Sequence, residues 1–199
     1  MLNGDLTNEY LGYPVFPLRL GFIEWISLSM KVFGINEFAT VVFLFIFSLL
    51  NIFLTYKPTQ LFSNNNKIAI TAAFIIAFFP TDIIFATICF PDLIYVFFIN
   101  LGFYFLIKSY KQKKNIYSYL GGVSFFLSMQ IKENAYYVLI LLIVLLVYSM
   151  LKNRQFKFQL LFGILCIVGN YLIEGIIYLL LHNDYFYRII TTNTNYSFS

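Results

Sequence analysis

Residues 36–56 read NEFATVVFLFIFSLLNIFLTY, and between Glu37 and Lys57 no charged side chain occurs. A bilayer core of about 30 Å takes roughly 20 apolar residues in a helix, so this stretch has the length and composition of a transmembrane span. Working outward from it, five further apolar runs appear at 68–80, 91–107, 117–131, 135–151 and 159–181. The sequence therefore predicts an all-α fold, a polytopic transmembrane helix bundle of about six spans. The runs 68–80 and 117–131 are short and need flanking residues or a tilt against their neighbours. Composition points the same way. The chain is 60% hydrophobic and only 11% charged, against about 45–50% and about 25% in soluble domains, a difference that lipid explains and a soluble core does not.

The loops between the runs alternate in charge. Lys57 and Lys67 bracket the first; Lys108, Lys111, Lys113 and Lys114 fill the third; Lys152, Arg154 and Lys157 fill the fifth, and no acid falls among them. By the positive-inside tendency these loops are expected to be cytoplasmic, with both termini on the other face of the cell membrane. That other face receives Asp5, Glu9, Glu24, Glu37, Asp82, Asp92, Glu133 and Asp184, with Glu174 in the outer half of the last run. Most of these acids need no explanation beyond topology. Asp92, Glu174 and the adjacent Lys132 and Glu133 differ, because they stand at or inside a span end. An ionisable group there needs a partner, water or a function.

Other classes are disfavoured. The net charge of +4 comes from short basic clusters between apolar runs, where they act as topology signals, so no nucleic-acid partner is expected. Cys89 and Cys166 stand apart in apolar surroundings, and His182 is the single histidine. No cofactor or metal is expected.

Ahead of the first span, residues 18–33 are apolar but interrupted by Arg19, Glu24 and Lys31. On a helical wheel Glu24, Ser27 and Lys31 share a narrow stripe opposite Phe22, Trp25, Ile26, Val32 and Phe33. This predicts an amphipathic helix in the outer interface, ended by Gly34. The expected organisation is a 1–34 extracytoplasmic loop and interfacial helix, a 35–181 six-helix transmembrane domain and a 182–199 extracytoplasmic tail.

Three stretches carry a resemblance. Residues 11–42, LGYPVFPLRLGFIEWISLSMKVFGINEFATVV, combine a Gly-Tyr-Pro element, a helix ending in Phe-Gly and a span. Residues 72–98, AAFIIAFFPTDIIFATICFPDLIYVFF, place a proline at one outer helix end and an Asp at the start of the next. Residues 119–142, YLGGVSFFLSMQIKENAYYVLILL, have glycines early in one helix and a Lys at its outer turn. In order and spacing they resemble C-type membrane glycosyltransferases of the protein O-mannosyltransferase and aminoarabinose transferase superfamily.

That resemblance implies transfer of a sugar from a dolichyl- or polyprenyl-phosphate-linked donor to a glycan, lipid or protein acceptor on the non-cytoplasmic face, with membrane lipid as the surrounding partner. It implies that Asp92 corresponds to the Asp opening the family's fourth helix and Lys132 to its outer-turn Lys. The family's catalytic Asp-Glu would fall before Met1, and Leu11-Gly12-Tyr13 stands where some members carry Glu-Lys. On that comparison the chain is expected to be a fragment, inactive alone. In the family a loop comparable to the C-terminal tail faces the catalytic cavity.

The chemistry supports a candidate site. Glycosyl transfer from a phosphate needs a carboxylate to position or deprotonate a hydroxyl and a cation to balance the departing phosphate. Asp92 and Asp82 are the catalytic candidates, flanking one outer turn, and Lys132 with Glu133, Tyr13, Tyr187 and Arg188 are the substrate-binding candidates. Each has a plainer reading: Asp92 as a helix cap, Lys132 as a snorkelling or Glu133-paired lysine, Tyr187 and Arg188 as part of a terminal tail. A transporter or flippase subunit and a non-catalytic scaffold or remnant are the competing functions. The first predicts charges and broken helices near the midplane, where the runs carry almost none.

Overall fold

The computed structural model of the chain describes residues 19–152, 156–188 and 190, apart from the side chains of Leu20, Glu133 and His182. All regular structure among these residues is helical. α1 (Leu20–Phe33), α2 (Glu37–Ser63), α3 (Asn66–Ala77), α4 (Pro80–Phe85), α5 (Asp92–Gln112), α6 (Asn115–Ile131), α7 (Tyr136–Leu151) and α8 (Lys157–His182) follow in order, with a 3-10 turn at Glu133–Ala135 between α6 and α7. α2, α5 and α8 are long and apolar enough to cross a membrane. α3 and α7 are shorter apolar helices, and α6 has 17 residues, about 25 Å of rise.

The corner between α1 and α2 is built by two residues. Gly34 takes φ +81, a region that costs a side chain but not a glycine. Asn36 then accepts from the Ala39 N–H at 2.8 Å and donates its amide to the Phe33 carbonyl at 2.8 Å, so one side chain closes one helix and opens the next. α1 folds back antiparallel along α2: Phe33 meets Phe38, the Ser29 hydroxyl donates to the Ala39 carbonyl, and Trp25 lies edge-on to Phe47 at 5.1 Å. The expected polar stripe of Glu24, Ser27 and Lys31 is exposed, and Phe22 on the opposite arc is buried.

Three spans differ in extent from the sequence reading, α5 by running past Lys108 and Lys111 to Gln112. α2 runs past Lys57 and through Pro58 to Ser63, with the Lys57 ammonium over the rings of Phe53 and Tyr56. Run 68–80 is not one helix. Phe79, preceding Pro80, is extended (φ −72, ψ 118) because the proline ring disfavours a helical residue before it, so α3 stops and α4 starts anew. Asp82 thereby sits in the first turn of a short helix.

α6 is the central element, packed against α5 on one side and α8 on the other. In lipid the helices gain little from burying apolar surface against one another, so close backbone approach through small residues supplies the contact. Gly102 of α5 lies beneath the Phe125 ring, Gly121 faces the Gly102 carbonyl, and Gly122 faces the Gly163 carbonyl of α8. Ser109 and Ser118 bridge the base of the α5–α6 hairpin at 2.7 Å. Large apolar side chains such as Phe74, Tyr137, Val144 and Leu180 point outward, as lipid-facing surfaces require. Lys113 and Lys114 lie in the turn between α5 and α6, at the opposite end of those two helices from Asp92, the first residue of α5, and Lys132, which follows α6.

A methyl at Gly122 would stand 2.6 Å from both the Gly163 carbonyl oxygen and Cys166 Cβ, whereas one at Gly169 would meet nothing within 4 Å. Gly122→Ala is therefore expected to lower stability by about 1–3 kcal/mol, read as a drop in the thermal midpoint in detergent, while Gly169→Ala is neutral or slightly stabilising.

Candidate functional site at the acidic end of the bundle

Pro91, with φ −71, is pre-set for the entry to a helix, and Asp92 follows as the first residue of α5. Among the described residues its carboxylate makes no hydrogen bond to its own helix. It reaches instead to the Lys132 Nζ at 2.7 Å. Lys132 is the C-cap of α6, in extended backbone, its N–H donating to the Ser128 carbonyl. The acid thus sits at a helix N-terminus and the cation at a helix C-terminus, where each favours the local dipole. The Tyr95 ring, one turn along α5, lies 5.3 Å from the same ammonium. The two side chains remain 17% (Asp92) and 21% (Lys132) exposed.

Asp82 is held apart from this pair. Its Oδ2 accepts from the Ser48 hydroxyl of α2 at 2.5 Å. One turn below, the buried Asn51 amide donates to the Leu93 carbonyl at 3.0 Å, and Asn100 of α5 approaches the Asn51 oxygen at 3.4 Å. One face of α2 therefore grips both acidic segments, α4 through Ser48 and the first turn of α5 through Asn51.

A second ion pair flanks the other side of α6. After α8 the chain turns at Asn183 (φ 56) and comes back along its own helix, with the Tyr185 ring on Gly175 and Tyr187 packed on Tyr178 at 5.8 Å. This return delivers Arg188, 6% exposed, to Glu174 at 2.9 Å, to the Gln130 side-chain oxygen at 2.5 Å and to the Met129 carbonyl at 2.8 Å. Gln130 in turn donates to the second Glu174 oxygen at 2.6 Å. Glu174, conspicuous in the sequence as a charge within a span, thus has its counter-ion. Gln130 was not legible as part of a site, since a lone amide in an apolar run has no partner in view until α6 and α8 are packed.

Of the residues singled out from the sequence, Asp92 and Lys132 come together, Asp82 goes to α2, and Tyr187 and Arg188 go to α8. The Glu133 side chain and Tyr13 lie outside what the structure describes. No three His, Cys, Asp or Glu side chains among the described residues gather as a metal site would require.

Apolar helices paired by charge at one end define a multi-pass membrane protein. The chain matches the model of the dolichyl-phosphate-mannose-protein mannosyltransferase family over residues 21–189, and it belongs to that family of C-type membrane glycosyltransferases. No curated protein and no solved structure matches it. The family match takes in all of 72–98 and 119–142, the stretches that carry Asp92 and Lys132.

Because Arg188 is buried beside Glu174, Gln130 and the Met129 carbonyl, Glu174→Gln would take a carboxylate away from a buried cation. It is expected to cost about 3 kcal/mol or more, whereas the double change with Arg188→Met costs less than the sum of the two single changes. Thermal unfolding of the four proteins in detergent measures the coupling.

Proposed function

We propose that the acidic end of the bundle faces away from the cytoplasm and transfers a sugar from a polyprenyl-phosphate-linked donor to an acceptor hydroxyl there. The observation that supports this most directly is the partly exposed Asp92–Lys132 pair at the end opposite the lysine-rich loops, in a chain of this family. Asp92 is the base and Lys132 the phosphate-binding cation. The acceptor oxygen bonds to the anomeric carbon and gives its proton to Asp92. The bond from that carbon to the phosphate oxygen breaks, and the lipid phosphate leaves with one more negative charge, which Lys132 balances. Asp82, steadied by Ser48, is the second carboxylate of the same end. The donor needs no nucleotide-binding domain, since its lipid tail stays in the bilayer against the helices' apolar faces.

Introduced into the native gene, Asp92→Asn or Lys132→Gln is expected to lower transfer from labelled polyprenyl-phosphate sugars in isolated membranes by on the order of 100-fold. Lys111→Gln, at the other end of the bundle, leaves it unchanged. Equal activity in all three would remove Asp92 and Lys132 from the chemistry.

Orientation is checked separately. With Cys89 and Cys166 replaced by Ala, a cysteine at Ser63 or Gln112 is expected to resist an impermeant thiol reagent in intact cells, and one at Asn193 to react. Labelling at Ser63 or Gln112 would invert the topology and place the site on the wrong face.

A further inference from the structure

Asp92 and Lys132, the groups assigned as base and phosphate ligand, are each other's counter-charge, with Asp92 Oδ1 2.7 Å from the Lys132 Nζ. A phosphate that binds Lys132 competes with Asp92 for the same ammonium. This competition rests on the function proposed above, and the charges of the reaction supply its direction.

We propose that the Lys132 ammonium exchanges partners during transfer, from the Asp92 carboxylate to the departing phosphate, and returns to Asp92 when the product leaves. The donor phosphodiester carries one negative charge. As the sugar departs, the phosphate becomes a monoester with about −1.5 to −2 charges. Over the same interval Asp92 takes the acceptor's proton and loses its own charge. The attraction holding Lys132 to Asp92 thus vanishes while its attraction to the phosphate rises, and the total charge of the site stays the same. The ammonium interacts more strongly with the phosphate in the transition state than in the ground state, the condition for catalysis rather than mere binding. Afterwards Asp92 gives its proton to water, becomes an anion again and competes for the ammonium, which loosens the product phosphate.

The two cations beside α6 are built differently for this purpose. Lys132 is a point charge on a flexible stem, partly exposed, with a carboxylate and the Tyr95 ring as its partners among the described residues. Arg188 is a planar group fixed by Glu174, Gln130 and the Met129 carbonyl and nearly sealed from solvent. Only Lys132 can swing without dismantling the helix ends.

The test is equilibrium binding of a polyprenyl monophosphate to the purified chain in nanodiscs, with the matching polyprenol as the phosphate-free control. Asp92→Asn removes the competitor and is expected to bind the monophosphate about fivefold tighter than the wild type. Asp92→Glu keeps the competitor and binds as the wild type does. Lys132→Gln binds weakly, and adding Asp92→Asn to it restores nothing. Should Asp92→Asn not fold, Asp92→Ser removes the same charge. Unchanged or weaker binding by the uncharged Asp92 variant, in a wild type that does bind the monophosphate, overturns the exchange alone. A wild type that binds the monophosphate no better than the polyprenol overturns the underlying function as well.

Discussion

The close approach of α6 to α5 and α8 is the constraint on which the acidic end depends. In lipid there is no water to drive apolar surfaces together, so helices associate where their backbones can touch. Gly102, Gly121, Gly122 and Gly163 provide that contact, and Ser109 and Ser118 close the hairpin at its base. With the three axes fixed there, the end of α6 has to emerge between the start of α5 and the C-terminal half of α8. Asp92 and Glu174 then stand on either side of one helix terminus, and Lys132 and Arg188 come to meet them.

The two resulting pairs have different physical characters. Asp92–Lys132 joins two helix ends at the rim, with both side chains partly exposed. Glu174–Arg188 is sheltered, joined by Gln130 and by the Met129 carbonyl, one of the backbone acceptors left open at the end of α6. The sheltered pair fastens the segment after α8 to the bundle, and the rim pair leaves both its charges partly exposed. On the far side of α5, Ser48 and Asn51 of α2 hold the two acidic segments in place, which makes α2 a support for the site as well as a span.

The sequence alone determined the class of fold and the position of most helices, because a bilayer imposes a length and a polarity that any span must meet. It showed which end of the bundle gathers acids, since lysine clusters mark the other end. It also singled out Asp92, Lys132 and Glu174, because a charge at or inside a span end is conspicuous in apolar surroundings.

Which of those charges pair was decided only by the tertiary structure. Asp92 and Lys132 are separated by a full hairpin, and Glu174 and Arg188 by the return after α8, so partner choice follows from helix packing and chain reversal rather than from spacing along the chain. Asp82 shows the same limit: it stands ten residues before Asp92 yet bonds to Ser48, because Pro80 starts a new helix and turns α4 toward α2. Periodicity and composition report how each segment meets its solvent. The contacts that make a site depend on which glycines let which helices touch, and that is a property of the assembled bundle.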